Sequence, residues 1–92
     1  MITTSALLAA TGLVFAGKCV LRGFMFTADT ATEPTLLLSN STTTTTLPKA
    51  WCMASDEQHT VFVWFGEEGI PCSLGIYATF ATADLLVYYE IR

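Results

Sequence analysis

Two apolar runs in the second half of the chain have no polar face. Residues 61–65 and 85–89 carry large apolar or aromatic side chains at every position. Because successive side chains of a strand point to opposite sides of a sheet, a strand with one face in water should alternate apolar and polar residues. One set of side chains is therefore predicted to fill the core of the domain: Val61, Val63, Leu85, Val87 and Tyr89.

The other large side chains on these two strands need a second apolar neighbour, which in so short a chain is another subunit. Two phenylalanines from a strand predicted over residues 19–27 are added to them. The candidate interface residues are Phe62, Trp64, Leu86, Tyr88, Phe24 and Phe26.

The remaining pattern is that of an all-β protein. Short apolar runs alternate with turns rich in Gly, Pro, Asn, Asp and Ser, and residues 6–16, the best helix candidate, are interrupted by Thr and Gly. We predict seven or eight strands, over residues 2–8, 13–15, 19–27, 35–38, 50–54, 59–65, 75–80 and 85–91, with a very short strand or a bend at 70–73. This spacing predicts an antiparallel β-sandwich with a jelly-roll-like arrangement.

The chain is predicted to divide at Lys18. Residues 1–17 form an N-terminal arm or edge strands, and residues 18–92 form a single β-sandwich domain. The apolar, Gly-hinged arm suits the addition of strands to a neighbouring subunit. Residues 42–46, a run of threonines, are expected to form an exposed loop that leads into an edge strand.

Within the predicted strand at 19–27, Gly23 indicates a close backbone approach or a bulge. Regular alternation would put Val20, Arg22, Phe24 and Phe26 on one face of this strand.

Composition strengthens the case for association. Hydrophobic residues make up 52% of the 92 residues and charged residues only 13%, about half the usual share of about 25%. A surface so poor in charge leaves apolar patches, which usually mark interaction sites. The net charge of −4, with four basic residues in all, argues against nucleic acid as a partner because no cluster of cations can neutralise several phosphates.

No residue set predicts catalysis, and neither a cofactor nor a bound metal is expected. His59 is the only histidine, so a catalytic triad cannot form and a solvent-facing position is expected. Five carboxylates could ligate calcium if their loops converged, but they fit no EF-hand spacing and are expected to form a solvated acidic rim: Asp56, Glu57, Glu67, Glu68 and Asp84.

The cysteines are expected to be buried, reduced thiols. Cys19, Cys52 and Cys72 are odd in number and lack a CxxC spacing, which argues against a disulfide framework and a zinc site. The apolar stretch at residues 6–17 is too short to span a bilayer and has no basic segment before it. Membrane association is therefore not expected.

Five motifs resemble those of the small β-sandwich structural proteins of tailed bacteriophages. In that family a Leu-x-Gly strand begins the domain and a Gly-Ile-Tyr strand follows a Gly-rich turn. The matching segments run from Lys18 to the C-terminus: Leu21-Arg22-Gly23, Pro34-Thr35, Phe65-Gly66-Glu67-Glu68-Gly69-Ile70, Gly75-Ile76-Tyr77 and Ala83-Asp84-Leu85-Leu86-Val87-Tyr88-Tyr89. The threonine run and the cysteines are outside the pattern.

The resemblance implies a virion component that assembles in the host cytoplasm. Most directly it implies a capsid decoration or cement protein. Its expected partners are its own copies, in a trimer, and the major capsid protein or other virion proteins. The alternative is a glycan- or surface-binding module of a fibre or tail, in which Trp51, Trp64, Tyr77, Tyr88 and Tyr89 would provide a platform for sugar rings.

Overall fold

The described part of the chain forms nine strands and two sheets. The computed structural model describes residues 2–29, 33–43, 47–54 and 59–92, and no helix occurs among them. Accordingly, the described part of the chain offers no helix of the length and apolarity that a membrane crossing requires. The strands are β1 (Ile2–Thr4), β2 (Gly12–Ala16), β3 (Cys19–Ala28), β4 (Thr35–Ser39), β5 (Pro48–Met53), β6 (Thr60–Trp64), β7 (Ile70–Cys72), β8 (Gly75–Phe80) and β9 (Ala83–Ile91).

The two sheets are antiparallel throughout and pack face to face. Sheet A has the order β1-β9-β3-β6, with the short β7 also paired to β3, and sheet B has the order β2-β8-β4-β5. When the short β7 is left aside, the remaining eight strands have the order of a jelly roll: β1-β9-β3-β6 in one sheet and β2-β8-β4-β5 in the other. The predicted all-β sandwich is confirmed. Residues 70–72 form a strand rather than a bend, which brings the number of strands to nine.

The core lies between the sheets and is built by alternation. Leu85 and Val87 of β9 are fully buried and Tyr89 nearly so, while Val61 and Val63 of β6 pack partly buried against the same cluster. The five side chains that the sequence predicts for the core therefore do face it. Sheet B contributes Leu36, Leu38, Ile76, Ala78 and Phe80.

Strand β3 departs from simple alternation at Arg22. The register of β3 against β9 shifts between Leu21 and Gly23, so Arg22 is an extra residue in a β-bulge. Leu21, before the bulge, and Phe24, after it, then both face the core. The predicted face of Val20, Arg22, Phe24 and Phe26 is therefore wrong: the bulge exchanges the two sides of the strand, although Gly23 was correctly identified as its marker.

Because of this exchange, two of the candidate interface residues lie in the core and are not part of an interface. Phe24 is 1% exposed and Phe26 is fully buried. Phe24 lies near Phe65, with ring centroids 6.1 Å apart, and Phe26 meets the edge of Phe80 at 5.8 Å. Both are core residues of this chain because the bulge turns them inward.

The N-terminal residues pair within their own chain. β1 pairs with β9 and β2 with β8, each at the edge of its sheet. Between them, Ser5 and Leu8 donate backbone N–H groups to Val87 and Leu85, and the Thr11 hydroxyl bonds to the backbone of Phe80. In this structure residues 2–16 provide edge strands of their own domain; Met1 lies outside the described residues.

The threonine run is described only in part. Thr42 and Thr43 are exposed and outside any strand. Edge strand β5 begins at Pro48. Residues 44–46 lie outside the described part of the chain.

Candidate functional site

The outer face of sheet A carries a cluster of large apolar side chains, which we call the aromatic patch: Met25, Phe62, Trp64, Leu86 and Tyr88. Its members come from three neighbouring strands. The register sets Phe62 and Leu86 on either side of Met25, and Trp64 and Tyr88 on either side of Gly23. Directly opposed residues of an antiparallel pair project to the same face. The three strands therefore bring these side chains together.

The aromatic rings of the patch pack edge to face and remain accessible. The Tyr88 ring packs against both of the others, with its centroid 6.1 Å from Phe62 at 67° and 6.4 Å from Trp64 at 62°. Phe62 is 58% exposed and Trp64 46% exposed. Aromatic pairs in this geometry attract one another beyond their simple burial. The rings are thus held in place before any partner arrives.

One end of the patch is bounded by a charged group of residues. The Arg22 guanidinium lies 5.5 Å from the Trp64 ring centroid, within cation–π distance. Its Nη1 donates to Glu90 Oε1 at 3.2 Å, and Arg92 Nη2 donates to the same oxygen at 3.0 Å. Arg22 is only 8% exposed, so the bulge residue braces Trp64 from below the surface.

The other end of the patch is polar. The hydroxyls of Thr27 and Thr60 lie 2.9 Å apart, within hydrogen-bonding distance, and Asp84 is opposite Thr27 in the register. An apolar centre with polar ends is the usual organisation of a protein interface.

The structure thus brings four of the six candidate interface residues together and separates the other two. Phe62, Trp64, Leu86 and Tyr88 share the outer face of sheet A, whereas Phe24 and Phe26 are in the core. Met25 was missed because regular alternation puts it on the side of β3 opposite Phe24 and Phe26. Arg22 shared the predicted face of those two phenylalanines but was not named as a candidate. The bulge between Leu21 and Gly23, carried through to the side-chain pattern, places Met25 on the outer face.

The aromatic residues proposed as a sugar platform are divided among three locations. Trp51 is 62% exposed on sheet B, and Tyr77 is opposite Leu13 in that sheet. Tyr89 faces the core, with its ring centroid 5.0 Å from Phe15. Only Trp64 and Tyr88 remain together, and their rings are steeply inclined rather than coplanar.

The acidic residues do not converge within the described part of the chain. Glu67 and Glu68 follow β6 at one end of sheet A, whereas Asp84 is opposite Thr27 at the other end. No group of three potential metal ligands occurs among the described residues; Asp56 and Glu57 lie outside them. His59 is exposed, and its carbonyl accepts the N–H of Ala28.

All three cysteines are buried thiols, as expected. Burial raises the pKa of Cys19 and Cys52 to about 11, and a neighbouring Cys72 contributes at Cys19. Thiolates are the reactive form. Protonated and enclosed, these side chains are poor nucleophiles at neutral pH.

Cys19 and Cys72 are nevertheless opposite one another in the β3–β7 register. Lys18 accepts the N–H of Arg92 on the β9 side, so the backbone of Cys19 faces β7 and the two cysteines form a hydrogen-bonded pair. Side chains of such pairs are farther apart than the Cβ spacing of about 3.5–4.5 Å in a disulfide. A bridge would require the strands to shift, and the prediction that the thiols stay reduced is retained.

An open groove of about 470 Å³ lies at one end of sheet B. Thr11, Thr35, Thr79 and Glu33 contribute its polar lining, and Glu33 is the only ionisable residue among the described ones that line it. Among the described residues that line the groove, no two form a pair suited to acid–base or nucleophilic chemistry.

Comparisons with protein-family models, with curated proteins and with solved structures found no match to this chain. A function for it must therefore be argued from its own surface.

Proposed function

We propose that this chain is a non-catalytic structural subunit that assembles through the aromatic patch on the outer face of sheet A. One observation carries the proposal: Phe62 and Trp64 are 58% and 46% exposed, yet their rings pack against Tyr88 and Arg22. Aromatic anchors at the centre of a patch with a polar rim are typical of interface hot spots.

The energetics favour assembly if the patch is well covered. Fully burying an exposed large apolar side chain contributes roughly 1.5–3 kcal/mol, against an association cost of about 4–15 kcal/mol. The five side chains of the patch are already partly buried, so covering them offsets part of that cost.

Sheet B also exposes apolar side chains, but they are less organised. Trp51 and Met53 are 62% and 44% exposed, and the Trp51 ring packs against no other aromatic ring of the described residues. An unsupported side chain loses more conformational freedom on binding than one already held in place. The outer face of sheet A is therefore the better interface.

The assembly we propose is a virion shell, with the chain as a decoration or cement protein that stabilises the head. The support is the resemblance to phage structural proteins together with the jelly-roll topology, which capsid domains use widely. Lectin domains use the same fold, but the inclined rings of the patch do not favour stacking on a flat sugar. The resemblance favours a trimer, whereas the patch itself requires only a second copy.

The test compares two exposed tryptophans, each on an edge strand and on the outer face of its sheet. Trp64→Ala removes an anchor of the patch, and Trp51→Ala removes an exposed Trp from the outer face of sheet B. We expect Trp64→Ala to weaken self-association by on the order of 2 kcal/mol or more, as for an interface hot spot, while Trp51→Ala leaves association near that of the wild type. Sedimentation velocity over a concentration series measures both.

Thermal unfolding at the lowest concentration controls for stability of the monomer. Trp64→Ala should change it less than it changes assembly. Equal losses of association in the two variants would show that the patch is not the interface, and a wild-type chain that stays monomeric at high concentration would remove the proposal of self-association.

A further inference from the structure

The outer edge of β6 is open in the described structure. β6 pairs with β3 on one side only, and none of the other described strands pairs with its second side. An open edge presents a row of backbone N–H and C=O groups that another extended strand can bond.

The backbone hydrogen bonds at the two ends of β6 show which groups face outward. The N–H of Phe65 bonds to Arg22, and the N–H of Ala28 bonds to His59. Since backbone groups alternate sides along a strand, residues 61 and 63 also bond to β3, and the N–H and C=O groups of Thr60, Phe62 and Trp64 point to the open edge.

β6 is the outer strand with the least protection against pairing. Natural edge strands are blunted by shortness, proline, charged residues or bulges. β1 has three residues, β7 has three and includes Pro71, β2 contains a register shift, and β5 begins with Pro48 and Lys49. β6, Thr-Val-Phe-Val-Trp, is five residues long, uncharged and free of Pro and Gly; its composition has high β-propensity throughout.

We infer that β6 pairs antiparallel with the β6 strand of a second copy, across a two-fold axis at Phe62. In this register Phe62 is opposite Phe62 of the other copy, and Thr60 is opposite Trp64. All three outward-facing residues of each copy then bond, and the edges are complementary to each other without any further partner. A second copy fits this edge because a two-fold rotation sets each outward-facing N–H of one copy opposite an outward-facing C=O of the other.

Such pairing would also extend the aromatic patch. Sheet A becomes continuous across the two copies, and the Phe62 and Trp64 side chains of both copies lie side by side on the outer face. The inference goes beyond the proposed function because it concerns backbone groups at the edge of β6, whereas the proposed function concerns side chains on its face.

Amide hydrogen exchange of the full chain tests the pairing directly. As protein concentration rises through the association range, the amides of Thr60, Phe62 and Trp64 should exchange more slowly. The amides of Val61 and Val63, already bonded to β3, should change little. Outward-facing amides whose exchange is independent of concentration would overturn the inference.

A pair of substitutions at Thr60 supplies the matched control. Thr60→Pro removes an outward-facing N–H at the first residue of the strand, where proline is tolerated. Thr60→Val removes the same side-chain contact with Thr27 but keeps the N–H. We expect Thr60→Pro to raise the dimer dissociation constant by on the order of tenfold to a hundredfold relative to Thr60→Val, since two symmetry-related hydrogen bonds are lost.

The outcomes separate the two proposals. If association depends on Trp64 while the outward-facing amides stay unprotected, the patch is the interface and the edge inference is wrong. If those amides are protected and Trp64→Ala has no effect on association, the edge inference stands without the face interface. A sedimenting mass of three copies would exclude the two-fold contact as the basis of the oligomer.

Discussion

Gly23 sets how closely β3 and β6 approach beneath the aromatic patch. A Cβ added there would lie 2.5 Å from the Val63 carbonyl oxygen and 2.9 Å from Cε3 of Trp64. Backbone cannot yield cheaply to such a contact, so any side chain at this position would push the two strands apart. The bulge at Arg22 and the absence of a side chain at Gly23 together let Arg22 and Trp64 meet.

Gly23→Ala is therefore expected to destabilise the domain by about 1–3 kcal/mol, the usual cost of overpacking. Gly12→Ala is the matched control, because Gly12 also lies in a strand and an added Cβ would meet only the Ala10 carbonyl at 4.0 Å. A glycine-to-alanine change without strain gains about 0.4–1 kcal/mol through the unfolded state. Denaturant titration of both variants measures the difference. Equal stabilities would mean that the close approach at Gly23 is not a constraint.

At the scale of the strands, the N-terminal segment belongs to its own domain. Ser5 Oγ accepts the N–H of Val87 in addition to the backbone bond from Ser5 to the same residue. Thr11 makes two bonds to Phe80, one through donation and one through acceptance. These contacts tie both sheets to the first residues of the chain and cover the outer edge of β9.

Deletion of residues 2–12 should consequently destabilise the fold. The loss of several hydrogen bonds at about 1 kcal/mol each predicts a fall in the free energy of unfolding of at least about 2 kcal/mol. A shorter deletion of residues 2–4, which keeps Leu8 and Thr11, should cost less. Denaturant titration and sedimentation of both truncated chains test this. If the longer deletion kept its stability but lost self-association, the segment would serve as an arm between subunits, as the sequence first suggests.

The sequence pattern predicted the strands well, because alternating side chains mark a strand and turn residues mark its ends. Residues 61–65 and 85–89 show this best: the apolar runs were correctly divided into a core side and an outer side. The same rule failed for Phe24 and Phe26, since one extra residue in a strand exchanges its faces and alternation cannot reveal it. The position of Cys19 opposite Cys72 could not be predicted either, because it depends on pairing between distant segments.

At the scale of the whole molecule, the two proposals concern adjoining parts of sheet A, the open edge of β6 and the outer face beside it. Pairing at β6 joins two copies edge to edge, and the shared outer face of sheet A then presents the aromatic side chains of both. Two joined copies with a continuous apolar face bind a protein shell more tightly than two separate copies do. The loss of translational and rotational freedom on association then occurs once for the combined area. Low surface charge, with charged residues at 13% of the chain, is consistent with a surface that is covered in use.

The virion proposal makes a quantitative prediction about particles. A decoration protein occupies a site repeated over the whole shell, so its copy number should scale with that of the major capsid protein, whereas a fibre or tail module occurs in few copies. Quantitative mass spectrometry of particles purified from cells that produce the chain measures this ratio. We expect a high, fixed ratio for the wild type, a reduced ratio for Trp64→Ala and an unchanged ratio for Trp51→Ala, because only Trp64 belongs to the aromatic patch. Absence of the chain from particles would exclude a virion role while leaving self-association to be judged on its own. A low ratio would instead favour the fibre or tail module, and loss of copies in Trp51→Ala rather than Trp64→Ala would move the contact with the shell to sheet B.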